Sequence, residues 1–250
     1  MIRSIPKTNI AFVSRIIFLF CVLMVCKTSA QEISGKQLLE KAIHYHDPKG
    51  NWDHFQGALS VGMSSPNGTE RLSEITIDLI NQYFKLTTVK NDRTVEHIVS
   101  NGKSIFSLDS RKEFTEEEVK TFSLTAARAQ FMSNYYTYLY GLPMKLKDPG
   151  TVISSVVNRK DFLGKEYLVL KVKYEESIGT DSWYFYFDPK TYALKIYQFY
   201  HDETKNDGEY ILLSDEESFH GIKIPKVRNW YMNKDGSYLA TDTLKKVTDL

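Results

Sequence analysis

"SWYFYFDPKTYALKIYQFYH" occupies residues 182–201. Two aromatic-rich runs flank Asp188, Pro189, Lys190 and Thr191, a turn composition, so the stretch reads as two antiparallel strands and their connection. Successive side chains of a strand point to opposite faces. Trp183, Phe185 and Phe187 therefore share one face, and Tyr184 and Tyr186 the other. In the second strand Ile196 and Tyr200 oppose Tyr197 and Phe199. A sheet with one wet face alternates apolar with polar residues. Here both faces are apolar or aromatic, so both must be covered, or one must line an apolar cavity.

The period of two extends in both directions. Upstream lie "TVISSVVNRKDF" and "EYLVLKVKYE"; downstream lie "GEYILLSDEES", "IKIPKVRNWYMN" and "YLATDTLKKVTD". From Phe55 onward "QGALSVGM", "LSEITIDLI", "YFKLTTV", "TVEHIVSN" and "KSIFSLD" alternate with "SSPNGTE", "NQ", "KNDR" and "NGK", which are turn compositions. These runs predict a mainly β (α+β) fold built on one large antiparallel sheet. No repeat, low-complexity stretch or linker divides residues 31–250, which are expected to form a single domain.

Two helical regions interrupt the strands. Ser34 can cap a helix through "GKQLLEKAIHYH", with Leu38, Leu39, Ala42 and Ile43 as its apolar stripe and Pro48 ending it. In mid-chain, Thr115 and Glu118 form a capping-box pattern. Ser123 is expected to begin a second helix, with Leu124, Ala127, Phe131, Tyr135 and Tyr138 at helical spacing and Gly141 and Pro143 as its stop.

The N-terminus predicts export. Arg3, Lys7 and Arg15 precede "IIFLFCVLMVC", residues 16–26. That run is well short of the roughly twenty apolar residues a membrane span needs, but it suits the apolar region of a signal peptide. Thr28 and Ala30 place cleavage after Ala30, so residues 1–30 are assigned as the signal peptide. The competing cut, before Cys26, would lipidate that cysteine, but Val25 is a poor residue for it. Both cysteines lie in this leader, so residues 31–250 are held together without disulfides. The leader also holds four basic residues and no acidic one, so its removal changes net charge from +1 to −3. Neither value suggests nucleic acid or an anionic membrane surface as partner. No second long apolar segment follows, so no span is expected in the mature chain.

"AIHYHDPKGNWDHF", residues 42–55, gathers His44, His46 and His54 with Asp47 and Asp53. On a helix His44 and His46 are rotated about 200° apart and cannot chelate one ion. His46 is expected in the last turn, where a partly protonated ring complements the helix end. No metal site follows, and GxSxG, HExxH, Walker and dinucleotide patterns are absent. No catalytic residue and no cofactor is assigned, and the chain is expected not to be an enzyme.

The distinctive excess is aromatic: residues 31–250 hold thirty of the thirty-three Phe, Trp and Tyr residues, including all sixteen tyrosines. Helices packed across the sheet, with tyrosine hydroxyls at the rim, would account for it. So would a curved sheet whose concave face forms an apolar trough. The candidate ligand-binding residues on that reading are Trp183, Phe185, Phe187, Tyr197 and Phe199 as wall, with Phe131 and Tyr135 as lid.

The order of elements, and the segment "YFYFDPKTYALKIYQFY", resembles the periplasmic lipoprotein-carrier fold of LolA-like, LolB-like and LppX-like proteins. The chain is also similar to an uncharacterised group of exported bacterial proteins that share a "YHDP-x-G-x-W" start, here residues 45–52. They share too a late "GE-Y-I-L…GI-x-I-P" segment, here residues 208–225. The resemblance implies a half-barrel with the N-terminal and mid-chain helices on its concave face, located in the periplasm or envelope of a Gram-negative bacterium. It implies a non-enzymatic protein that binds an apolar ligand, a lipid or lipoprotein acyl chain. The alternatives are an envelope protein-interaction platform on the same fold and, less favoured, a metal- or carboxylate-dependent hydrolase.

Overall fold

The computed structural model describes residues 32–90 and 92–250, so the expected signal peptide and Cys26 lie outside the described residues. Twelve strands form one antiparallel sheet. They are β1 (Gln56–Ser64), β2 (Glu70–Asp78), β3 (Tyr83–Lys90), β4 (Arg93–Ser100), β5 (Lys103–Leu108), β6 (Thr151–Phe162), β7 (Lys165–Tyr174), β8 (Ser182–Phe187), β9 (Leu194–Tyr200), β10 (Glu209–Phe219), β11 (Ile222–Met232) and β12 (Tyr238–Thr248). The spatial order is β5-β4-β3-β2-β1-β12-β11-β10-β9-β8-β7-β6. Each half is a meander of sequence neighbours, as its short turns dictate. Asn101 and Gly102 both have positive φ, the two-residue hairpin geometry that matches strand twist. The β1–β12 pair joins the halves, and β5 and β6 are left as the two edges of an open, curved half-barrel.

The helices are α1 (Gly35–His46), α2 (Glu116–Phe122) and α3 (Ala126–Gly141). Ser34 caps α1 and Thr115 caps α2, each through a complete capping box with Gln37 and Glu118 respectively. The start of α3 differs from expectation. Ser123 ends α2 in a left-handed conformation, and Thr125 is the cap of α3, its side chain accepting from the Arg128 N–H. The phase of α3 differs too. Ala129, Met132, Tyr136, Leu139 and Tyr140 are its core side, while Phe131 is 55% exposed and Ala127 is exposed.

Alternation sorts the sheet into two faces. The inner face carries rows such as Leu59, Ile75, Leu86, His97 and Phe106 across β1–β5. Its counterpart across β7–β11 is Leu170, Phe185, Tyr197, Ile211 and Trp230. Leu38, Leu39 and Ala42 of α1 and the core side of α3 join these residues in the main core. α2 covers Val95 and Leu108 near the β5 edge. The outer face of β7–β10 buries Val169, Tyr186 and Ile196 without a helix. Phe162, at the end of β6, is its cover: the ring packs edge-on against Tyr186 and Tyr210 at 5.4 and 5.2 Å.

The histidine-rich segment is structural. Contrary to expectation, His46 is fully buried, and burial lowers its pKa, so the ring is neutral. Its Nδ1 lies 2.7 Å from the Lys223 carbonyl, and its Nε2 accepts from the Leu194 N–H at 3.0 Å. The helix end lies against β9 and β11 rather than in water, which is why the local expectation of a charged ring fails. Asp47 accepts from the Asn51 and Trp52 N–H groups, both at 2.8 Å, and Asn51 Nδ2 donates to the His220 carbonyl. The segments at 45–52 and 208–225 therefore clasp each other. Asp47→Ala is expected to cost about 2 kcal/mol in urea unfolding, because it removes two charge-assisted bonds to backbone N–H groups.

Candidate ligand-binding site

α3 packs on β3–β5 of the inner face and reaches Arg228 of β11, whose Nη2 donates to the Leu139 carbonyl. It does not fill that face. A cavity of about 1,200 Å³ remains between helix and sheet. Both flanks of the helix line it, Phe131, Asn134, Tyr135 and Tyr138 on one and Gln130, Ser133 and Thr137 on the other.

Four of the seven residues expected at the site line this cavity: Phe131 and Tyr135 from α3, Trp183 from β8 and Phe199 from β9. Trp183 stacks on Phe199 with ring centroids 4.9 Å apart, and Phe131 stacks on Tyr135 at 6.0 Å. The structure places the other three, Phe185, Phe187 and Tyr197, in the closed core at 0–1% exposure. They share the inner face with Trp183 and Phe199. α1, however, packs on both β6 and β11 and so spans the strands between them. The trough is filled where these three stand and open further along the same strands.

Sequence reasoning placed Tyr138 in the lid helix without assigning it as a contact residue, and did not assign Trp230 at all. Tyr138 meets Trp183 edge-on at 5.9 Å, and its hydroxyl is 2.5 Å from that of Tyr174. Burial raises the Tyr138 pKa, so it remains a neutral phenol. Trp230 stands on the inner face and donates from Nε1 to Asp242 Oδ2 at 3.0 Å. Asp242 faces Arg228 across the β11–β12 pair. Burial raises the Asp242 pKa, with Arg228 and Arg71 opposing that shift. The alternation in "IKIPKVRNWYMN" carries the signal for Trp230, since Arg228 and Trp230 share a face.

At one end Asp181, His201 and Glu209 join the aromatic wall. Asp181 lies 2.8 Å from His201 Nδ1 and raises the pKa of that ring. His44, in α1, and His54, in the turn Asn51–His54, are exposed and do not line the cavity, and His46 spends both ring nitrogens on the backbone. Among the described residues no three His, Cys, Asp or Glu side chains are grouped to hold a metal ion, and no helix is long and apolar enough to cross a membrane.

Two of the solved structures similar to this chain cover nearly all of their own length in the match. A LolA superfamily protein from Nitrosomonas europaea is 12% identical, with a TM-score of 0.52 over 87% of this chain and 95% of its own. A domain from Vibrio parahaemolyticus, described as an outer membrane lipoprotein-sorting protein, is 12% identical, with a TM-score of 0.51 over 86% and 93%. At this identity the likeness is one of fold, and the fold is LolA-like. A search of curated proteins gives no match. At the level of sequence, the profile of the Family of unknown function (DUF6503) matches residues 13–247, and the chain belongs to that family.

Proposed function

We propose that this protein is an exported, non-enzymatic binding protein that holds a lipid or lipoprotein acyl chain on the inner face of its half-barrel. The observation that carries this reading is the open, aromatic-walled cavity of about 1,200 Å³ beside α3. Pockets for small ligands are concave, largely preformed and mostly apolar, and this one has those properties. Each buried methylene contributes about 0.8 kcal/mol. A chain of about ten methylenes therefore gains on the order of 8 kcal/mol, against which the cost of ordering the ligand is set. The lipoprotein-sorting description of the Vibrio relative agrees with that ligand class. Phe131, Tyr135, Trp183 and Phe199 are the contact residues, joined by Tyr138 and Trp230.

Native mass spectrometry of residues 31–250, purified from a Gram-negative periplasm and then extracted with organic solvent, tests the reading. A co-purifying lipid mass is expected. Phe199→Asp places a charge in the wall and is expected to lower lipid occupancy at least tenfold while the thermal transition persists. An apoprotein mass that stays unchanged when lipid is offered would end the proposal. The platform alternative would then gain from the outer-face row of Tyr184, Gln198, Tyr210, Tyr231 and Tyr238, a ladder of tyrosines facing away from the cavity.

A further inference from the structure

The cavity wall is not electrically neutral, and its charges are unevenly matched. Five carboxylates line it (Asp78, Asp148, Asp181, Glu209 and Asp242), against two basic side chains, Arg71 and Lys145, and one histidine, His201. Lys145 pairs with Asp148, while Arg71 forms no ion pair among the described residues and acts on Asp242, as Arg228 does, through its field. Asp78 accepts hydrogen bonds from Gln56 and Asn81. His201 is held by Asp181.

Glu209 is different. It opens β10 and stands in register beside Phe199, which in turn pairs with Trp183. Among the described residues its carboxylate has no hydrogen-bond or ion-pair partner, and burial raises its pKa, with His201 opposing that shift. A half-buried, unmatched carboxylate is costly unless a partner arrives. Its neighbours are aromatic: Trp183, Phe199 and Trp230 line the same cavity. The face of an aromatic ring is negative and attracts cations, most strongly for tryptophan. Both features favour a positive group at this end and disfavour an anion. Neither is needed to bind an alkyl chain.

We infer that the cavity takes an amphiphile with a cationic head, an alkylammonium group, with the head beside Glu209 among Trp183, Phe199 and Trp230. The alkyl part lies along the α3 flank of Phe131 and Tyr135. This inference rests on the reading of the cavity as a ligand site.

The test compares three ligands of equal chain length, each below its micelle concentration at pH 8, by tryptophan fluorescence titration of residues 31–250. They are decyltrimethylammonium, decanoate and decanol. Decyltrimethylammonium is expected to bind about tenfold more tightly than decanoate, in line with one desolvated cation–π contact and one carboxylate. Glu209→Gln is expected to weaken the cation about tenfold and to leave decanol unchanged, with a thermal transition at least as high as that of the unaltered chain because a costly buried charge is removed. Decanoate binding as tightly as the cation, or Glu209→Gln weakening decanol as much as the cation, would overturn the inference and leave the apolar site standing. Failure of all three ligands, decanol included, would remove the site itself. Should Glu209→Gln not fold, the ligand series on the unaltered chain decides.

Discussion

Replacing His46 with alanine is expected to lower the unfolding free energy by about 3–4 kcal/mol. The ring is fully buried and joins the end of α1 to two strands that are distant in sequence. Truncation leaves the Leu194 N–H and the Lys223 carbonyl buried without partners, at about 1–3 kcal/mol each before relaxation, and opens a void. Urea unfolding of the two chains reads the difference, and a loss under about 1 kcal/mol would show that the clasp is dispensable.

The same ring sets a pH dependence. Burial lowers the His46 pKa in the folded state, while the unfolded chain takes up its proton near pH 6.5. Below that pH the unfolded state binds a proton that the folded state does not, so stability falls as pH falls. His97 acts in the same direction, its pKa also lowered by burial. His46→Ala is therefore expected to flatten the acid side of the stability profile without abolishing its slope.

Arg228→Ala is the second large loss, again about 3–4 kcal/mol at pH 7. Arg228 is 1% exposed; it donates to the Pro225 and Leu139 carbonyls and lies 4.2 Å over the Tyr140 ring. It is also the cross-strand neighbour of Asp242, whose pKa is already raised by burial. Without the guanidinium, that carboxylate loses its nearest cation and its pKa rises further above the unfolded value of about 3.9. A raised acid destabilises the fold as pH climbs through the interval between the two values. The variant is thus expected to lose less stability at pH 4 than at pH 7. Adding Asp242→Asn should recover about half of the loss at pH 7, and a double-mutant cycle measures the coupling. Strictly additive effects would show that the two charges do not interact.

Local patterns made much of this fold legible. The strand runs, the capping boxes at Ser34 and Thr115, and the faces of Trp183, Phe185 and Phe187 follow from periods of two and from short-range hydrogen bonding. What stayed hidden depends on distance along the chain. The two partners of His46 lie 148 and 177 residues away, so nothing beside it separates a buried neutral ring from a charged helix end. The β1–β12 pair that closes the two meanders onto each other is equally remote in sequence. For α3, tyrosines at 135, 136, 138 and 140 surround the helix, and periodicity cannot choose its core side. Alternation assigns a residue to a face but not to a place along it. This is why Phe185, Phe187 and Tyr197 lie in the core while Trp183 and Phe199 reach the cavity.

Photo-crosslinking with an alkyl diazirine probe, followed by peptide mapping of residues 31–250, tests the central claim most directly. Labels are expected on α3 at Phe131, Tyr135 and Tyr138 and on the sheet at Trp183, Phe199 and Trp230, with competition by unlabelled lipid. Labels confined to the outer tyrosines Tyr210, Tyr231 and Tyr238, or labelling that lipid does not compete, would contradict an acyl-chain site on the inner face.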